Sequence, residues 1–236
     1  MNKQSLYITC IFVCILTFIS LSHHNHFAVF SEKKEGKVIV IDVGHGGNDP
    51  GKVSGNGIQE KDINLQIAKY LKDYLIAQDY TVYLTRETDC GLYDEDASNK
   101  KSSDLKNRIR FLEEKKATLM VSIHQNSYPD SIQHGAQTFY YSANKSGKSL
   151  AERIQSSLLE LDNTNTRTAK SSDSYYLLKN ASMPAVIVEC GFLSNPDETA
   201  KLTDPNYQKR LAYAISLGIC TYDNQLFQNK KSPNHP

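Results

Sequence analysis

From Lys37 onward, short apolar runs rich in β-branched residues alternate with longer segments in which apolar positions recur every three to four residues. Val38-Ile39-Val40-Ile41 is apolar throughout and predicts a strand buried on both faces. Residues 62–77 carry Ile63, Ile67, Leu71 and Leu75 at helical spacing and predict a helix with one buried side. Thr81–Leu84 predicts a second strand, followed by a long, polar, mobile loop over residues 87–102. A helix is expected over residues 103–114, with Leu105, Ile109 and Leu112 on one face. Strands follow at Leu119–Ile123 and Ala136–Tyr141, the latter more polar and so nearer an edge, and a helix over residues 146–161. Tyr175–Leu178 and Ala185–Val188 predict two further strands. Asn195-Pro196-Asp197-Glu198 has the form of a helix start, with an Asn cap, Pro at the first helical position and Glu at the third. Asp204-Pro205 opens a last helix, expected to end near Cys220, with residues 223–236 as a loose polar tail.

This alternation implies one α/β domain, with a central, mostly parallel or mixed sheet of about six strands flanked by helices. No internal repeat is present. The segment before the domain differs in kind. Leu6–Leu21 is nearly all apolar, follows Lys3 and gives way to the polar stretch Ser22–His26. Residues 1–30 therefore read as an export segment, either a cleaved signal peptide or a retained membrane anchor, joined to the first strand by the charged linker Ser31–Gly36. The rest of the protein is expected outside the cytoplasm.

Composition sharpens this picture. With 39% hydrophobic and 22% charged residues, the chain beyond its apolar start has the balance of a soluble globular domain. Its 27 basic and 26 acidic residues leave a net charge of +1, which argues against a nucleic-acid partner held by bulk charge. Membrane contact is expected only through the N-terminal segment. Of five cysteines, Cys10 and Cys14 lie in that segment. Cys90, Cys190 and Cys220 are too few for a disulfide framework, and no CxxC pair is present to hold zinc by thiolates.

Three of the predicted strands end in residues capable of chemistry. The first runs into Asp42-Val43-Gly44-His45-Gly46-Gly47, the third into Ser122-Ile123-His124-Gln125-Asn126, and the last into Val188-Glu189-Cys190-Gly191. Functional groups of open α/β sheets gather beyond the carboxyl ends of the strands. Two imidazoles suit zinc, and one oxygen ligand more would leave a fourth, tetrahedral position open for water. Glu60 is the candidate for that ligand, because the glycine-rich stretch between it and His45 can fold back freely. Glu189 is then the candidate general base. Asn126 is a candidate for contact with substrate, or a plain turn residue. Arg86 and Arg108 are expected to pair with acids, and His134 to face solvent.

In these motifs the chain resembles the zinc N-acetylmuramoyl-L-alanine amidases of bacterial cell walls. The similarity runs from about Lys37 to Tyr222. Asp42–Gly47 resembles the family's opening metal motif, Glu60 stands where the family has its glutamate ligand, and Ser122–Asn126 resembles its second histidine motif. Pro184–Asn195 is similar to its catalytic-glutamate signature. Val43 and Gln125 depart from the residues usual at their positions.

The resemblance implies one zinc ion held by His45, Glu60 and His124, with Glu189 as catalytic residue. It also implies cleavage of the amide between N-acetylmuramic acid and L-alanine in peptidoglycan. Among these enzymes the chain is most similar to the germination-specific amidases of spore formers. That implies removal of stem peptides during cortex maturation, allowing muramic-δ-lactam to form. The same metal chemistry would serve a zinc peptidase cutting within the stem, and a non-catalytic envelope or spore-assembly protein could keep the fold. No surplus apolar helix stands between His124 and Glu189 to plug the site, and no further domain is expected after the last helix. An open site is therefore expected, with control or grip on the polymer left to placement, timing or an accessory envelope protein.

Overall fold

The computed structural model describes residues 36–231, with side chains as far as Leu226. The export segment and most of the charged linker lie outside the described residues. Among those described, no helix is long and apolar enough to cross a membrane.

The elements are β1 (Val38–Val43), α1 (Glu60–Ile76), β2 (Thr81–Leu84), α2 (Lys100–Glu114), β3 (Leu119–Asn126), β4 (Gln137–Tyr140) and α3 (Lys145–Leu161). They continue with β5 (Lys170–Ser171), α4 (Tyr176–Asn180), β6 (Ala185–Phe192), α5 (Pro196–Thr203) and α6 (Pro205–Lys231). Six strands form one mixed sheet in the order β2-β1-β3-β6-β4-β5. The pairs β1/β2, β1/β3, β3/β6 and β4/β5 are parallel, and β4 runs antiparallel to β6.

Side chains alternate across each strand, so the two faces of the sheet hold separate apolar clusters. On one face, Ile39, Ile41, Val121 and Val186 meet Ile63, Ile67, Leu71 and Leu75 of α1, together with Leu150, Ile154, Leu211 and Ile215 of α3 and α6. On the other, Val40, Met120, Phe139 and Ile187 meet Leu112 of α2 and Leu177 and Leu178 of α4. A sheet covered on both faces needs apolar residues at every position of its central strands. That is why β1, β3 and β6 read as continuous apolar runs.

Local signals set several helix starts. The Asn99 side chain accepts from Ser102 N, the Asn144 side chain from Gly147 N, and the Asn195 side chain from Asp197 N and Glu198 N. Such a cap contributes about 1 kcal/mol. The Asn99 cap starts α2 at Lys100, three residues earlier than the apolar spacing predicts.

Two expectations need correction. Tyr175–Leu178 is not a strand: residues 176–180 form α4, and the adjacent Leu177 and Leu178 are both buried. A strand with one covered face would have turned one of them outward. The sixth strand is instead the two-residue β5, which pairs with Phe139 and Tyr140. The last helix does not stop at Cys220 but runs through residue 231, so most of the predicted tail is helical. Tyr222 and Asp223 are buried, and Asp223 bonds to Lys37 and to the Tyr80 hydroxyl, which carries the packed face past Cys220.

Candidate metal centre

The register of the sheet builds one edge of the site. His124 of β3 lies opposite Glu189 of β6, and Glu189 lies opposite Gln137 of β4. Directly opposed residues share a face, so His124, Glu189 and Gln137 form a row across three strands. Gly44 continues the row beyond β1. A Cβ there would stand 2.4 Å from His124 Cε1, so only glycine leaves room for the ring.

His45 and Glu60 come to this row from the loop after β1 and from the first turn of α1. Glu60 Oε1 lies 3.2 Å from His45 Nε2 and 3.0 Å from His124 Nδ1. The three residues offer ligand atoms within 4.8 Å of one another and can hold a metal ion. Glu60 is buried to 2% side-chain exposure, whereas the two imidazoles keep 23% and 21%, so the cluster opens to solvent on the histidine side. Backbone N–H groups fix the carboxylate: Lys52 N donates to Oε2 and Gln125 N to Oε1. Burial alone would raise the Glu60 pKa, but hydrogen bonds from His124 and His45 hold it well below the usual carboxylate range. Gly51 permits the fold-back. Its φ is +68°, and a Cβ would meet Glu60 Oε2 at 2.6 Å and His45 Cδ2 at 2.7 Å.

His45 itself is held in the left-handed region, with φ +61°, a conformation that is uncommon away from glycine. Two buried guanidinium groups hold the carbonyls around it. Arg108 donates to Val43 O (2.7 Å) and His45 O (3.0 Å), and pairs with Asp42 (2.7 Å) and Asp104 (2.5 Å). Arg108 thus meets the expected acids. Arg86 does not: its hydrogen bonds go to the backbone carbonyls of Val43, Gly44, His45, Lys61 and Thr88. The loop after β2 closes on the same turn, with Asp89 accepting from Gly47 N and pairing with Lys61.

Glu189 is 8% exposed, and burial, the largest influence, raises its pKa. The Tyr175 hydroxyl donates to its Oε1 at 3.3 Å, while Oε2 has no hydrogen-bond partner among the described residues. One oxygen is thereby oriented, and the other carries no competing hydrogen bond. Asn126 stands next to this row, and its side chain accepts from Ser127 N while its carbonyl accepts from Leu193 N. Asn126 is the last residue of β3. Gln125 points to the opposite face, where its amide donates to Asn64 Oδ1. Asn64 in turn donates to Gly44 O and Glu60 Oε1, so the unusual Gln125 supports Glu60 from behind. His134 is exposed, as expected.

Two residues of the site escaped the sequence reading. Tyr175 lies in a stretch whose apolar pattern predicts a strand, and nothing local links it to Glu189. Asp49 accepts from His45 Nδ1 at 2.7 Å, leaving Nε2 to face Glu60. Its signal was available, since a carboxylate commonly orients a metal-binding imidazole through the other ring nitrogen. The His45 hydrogen bond keeps the Asp49 pKa low despite partial burial. Asp49→Ala is expected to weaken metal affinity about 10- to 100-fold with the fold intact. Titration with a competing chelator measures this, and unchanged affinity would remove Asp49 from the site.

Residues 39–221 match a family described as N-acetylmuramoyl-L-alanine amidase. The germination-specific N-acetylmuramoyl-L-alanine amidase of Bacillus subtilis is 39% identical over 88% of this chain and 90% of its own length. The CwlD amidase of Clostridioides difficile, solved in complex with the GerS lipoprotein, superposes with a TM-score of 0.78 at 42% identity, covering 80% of this chain and 99% of that one. The catalytic domain of the amidase CwlV from Bacillus (Paenibacillus) polymyxa var. colistinus gives a TM-score of 0.71 at 33% identity, over 80% of this chain and 98% of that domain. With a family match across nearly the whole folded part and these relatives over most of its length, the chain belongs to the N-acetylmuramoyl-L-alanine amidase family.

Proposed function

We propose that the protein is a zinc-dependent cell-wall hydrolase that cleaves the amide between N-acetylmuramic acid and L-alanine in peptidoglycan. The observation that carries this reading is the row in which Glu189 stands beside a His45–Glu60–His124 cluster that opens to solvent. Two imidazoles and one carboxylate are a donor set suited to catalytic zinc, which leaves a coordination position open. When bound, zinc supplies Lewis-acid polarisation and acidifies water. The protein's own part is proton handling. Glu189 Oε2 takes a proton from the attacking water, and the same carboxyl group then protonates the departing L-alanine amine. Burial raises the Glu189 pKa, which favours that second, acidic role. The Tyr175 hydroxyl keeps the carboxyl aimed through both steps.

The relative from B. subtilis supports a role in maturation of the spore cortex, where stem removal precedes muramic-δ-lactam formation. Such work is extracytoplasmic and agrees with residues 1–30 serving as a signal peptide or anchor ahead of a catalytic domain at 37–222. The complex of the C. difficile relative with a lipoprotein supports an accessory envelope protein as a partner.

Incubation of the zinc-loaded protein with purified peptidoglycan, followed by mass analysis of the products, tests the reading. Free stem peptides with an N-terminal L-alanine, and glycans with bare lactyl groups, are expected. Fragments cut within the stem would replace the amidase by a peptidase.

A further inference from the structure

Arg167 is a half-buried guanidinium beside the candidate site with no carboxylate in direct contact among the described residues. Arg108 is neutralised by Asp42 and Asp104, and Arg86 is taken up by five backbone carbonyls. Arg167, half-buried, forms no ion pair among the described residues. Its three side-chain hydrogen bonds go to uncharged oxygens: His134 O at 2.6 Å, Gln133 Oε1 at 3.1 Å and Gln137 Oε1 at 3.4 Å. A guanidinium has five N–H donors, so two remain. Burial pulls its pKa below the usual range, and the Glu198 carboxylate, which makes no direct contact with it, offsets only part of that cost.

Gln137 is the cross-strand neighbour of Glu189 on the same face and accepts from Arg167 through its Oε1, which places the guanidinium beside the row that carries the candidate catalytic carboxyl. The guanidinium also stacks on the Phe192 ring, 4.5 Å from its centroid, and Phe192 pairs with Asn126 at the end of β3. Gln137 Nε2 donates to Thr168 O, which fixes the segment that carries Arg167. A rigid, planar cation is thus held at the catalytic edge, and such a group recognises carboxylates.

We infer that Arg167 forms a subsite for a free carboxylate of the stem peptide, one residue beyond the L-alanine at the scissile amide. The inference rests on the amidase reading and adds a substrate preference to it: stems whose second residue keeps its α-carboxylate are preferred over stems in which that group is a carboxamide.

The test uses two glycan oligomers whose stems differ only in that group. Binding is measured with zinc-loaded Glu189→Gln protein, and with the same protein also carrying Arg167→Gln or Arg167→Lys; thermal melting checks that each is folded. Binding of the acidic stem at least about tenfold tighter than of the amidated one is expected, the scale of one charge-assisted contact. Arg167→Gln is expected to erase this ratio by weakening only the acidic ligand, and Arg167→Lys to keep part of it. Equal affinity of the two ligands for the Arg167 protein overturns the inference without any further variant. So does a ratio that survives in Arg167→Gln, or an equal loss for both ligands, which would mark a purely structural arginine. The position of the cut made by the wild-type protein on the same oligomers reports separately on the amidase reading, so either idea can fail without the other.

Discussion

Glu189→Gln retains zinc and loses at least about 10²-fold in turnover, while His45→Ala and His124→Ala lose zinc itself; these are the expected results of one set of measurements. The contrast follows from geometry. His45 Nε2 and His124 Nδ1 both face Glu60 Oε1, so deleting either ring takes one of the three proposed ligands from the cluster. Glu189 sits one strand further along the row, with an oriented Oε1 and no hydrogen bond to Oε2 among the described residues, and in the proposed mechanism it is the proton acceptor. Its amide isostere keeps the shape but cannot take the proton, and positioned general bases contribute about 10²–10⁴-fold. Zinc content by atomic absorption and release of L-alanine-terminated stems are read on the same samples. Loss of metal from a folded Glu189→Gln protein would make Glu189 a ligand. Full zinc and activity in either histidine variant would dismantle the site.

Arg108→Ala should cost about 3–5 kcal/mol of stability, the range for breaking a buried pair by removing one partner. Asp42 is 1% exposed and would be left charged in the interior, with Ser122 and Thr85 hydroxyls as its remaining partners. The carbonyls of Val43 and His45 would each lose a donor as well. The pH dependence gives a second check with a definite sign. In the wild type, burial would raise the Asp42 pKa, but Arg108 and the Ser122 hydroxyl hold it below its ordinary value. A depressed folded pKa contributes stability that is present above the unfolded value, about 3.9, and is lost as pH falls through the folded one. Without Arg108, burial dominates and the folded pKa rises above the unfolded value. That variant then gains stability on acidification as Asp42 is neutralised in place. Denaturant melts at several pH values should therefore show the stability gap narrowing as pH falls. A gap that stays constant would mean Asp42 was never left charged. The double variant Asp42→Asn/Arg108→Met should recover much of the loss, because no uncompensated charge remains.

The sequence by itself determined what is local or periodic. The unbroken apolar runs of β1, β3 and β6 announced a sheet covered on both faces, and the four-residue spacing of Ile63, Ile67, Leu71 and Leu75 announced the buried side of α1. The Asn-Pro start of α5 was legible because a cap acts within three residues. His45, Glu60, His124 and Glu189 could be picked out as candidates because each stands where an apolar run or a glycine-rich loop delivers it. Tertiary structure decided the rest. The short segment Tyr175–Leu178 is apolar enough for either state, and the Leu177–Leu178 pair settles as a helical turn because both side chains find a place on the α2 side of the sheet. The last helix passes Cys220 because Asp223 meets Lys37 and Tyr80, which lie 186 and 143 residues away along the chain. Strand register decided that His124, Glu189 and Gln137 share a row, and so that Tyr175 and Arg167 belong to the same edge. Pairing partners on β3, β6 and β4 are set by how whole strands pack together, and no window of sequence around one residue contains that information.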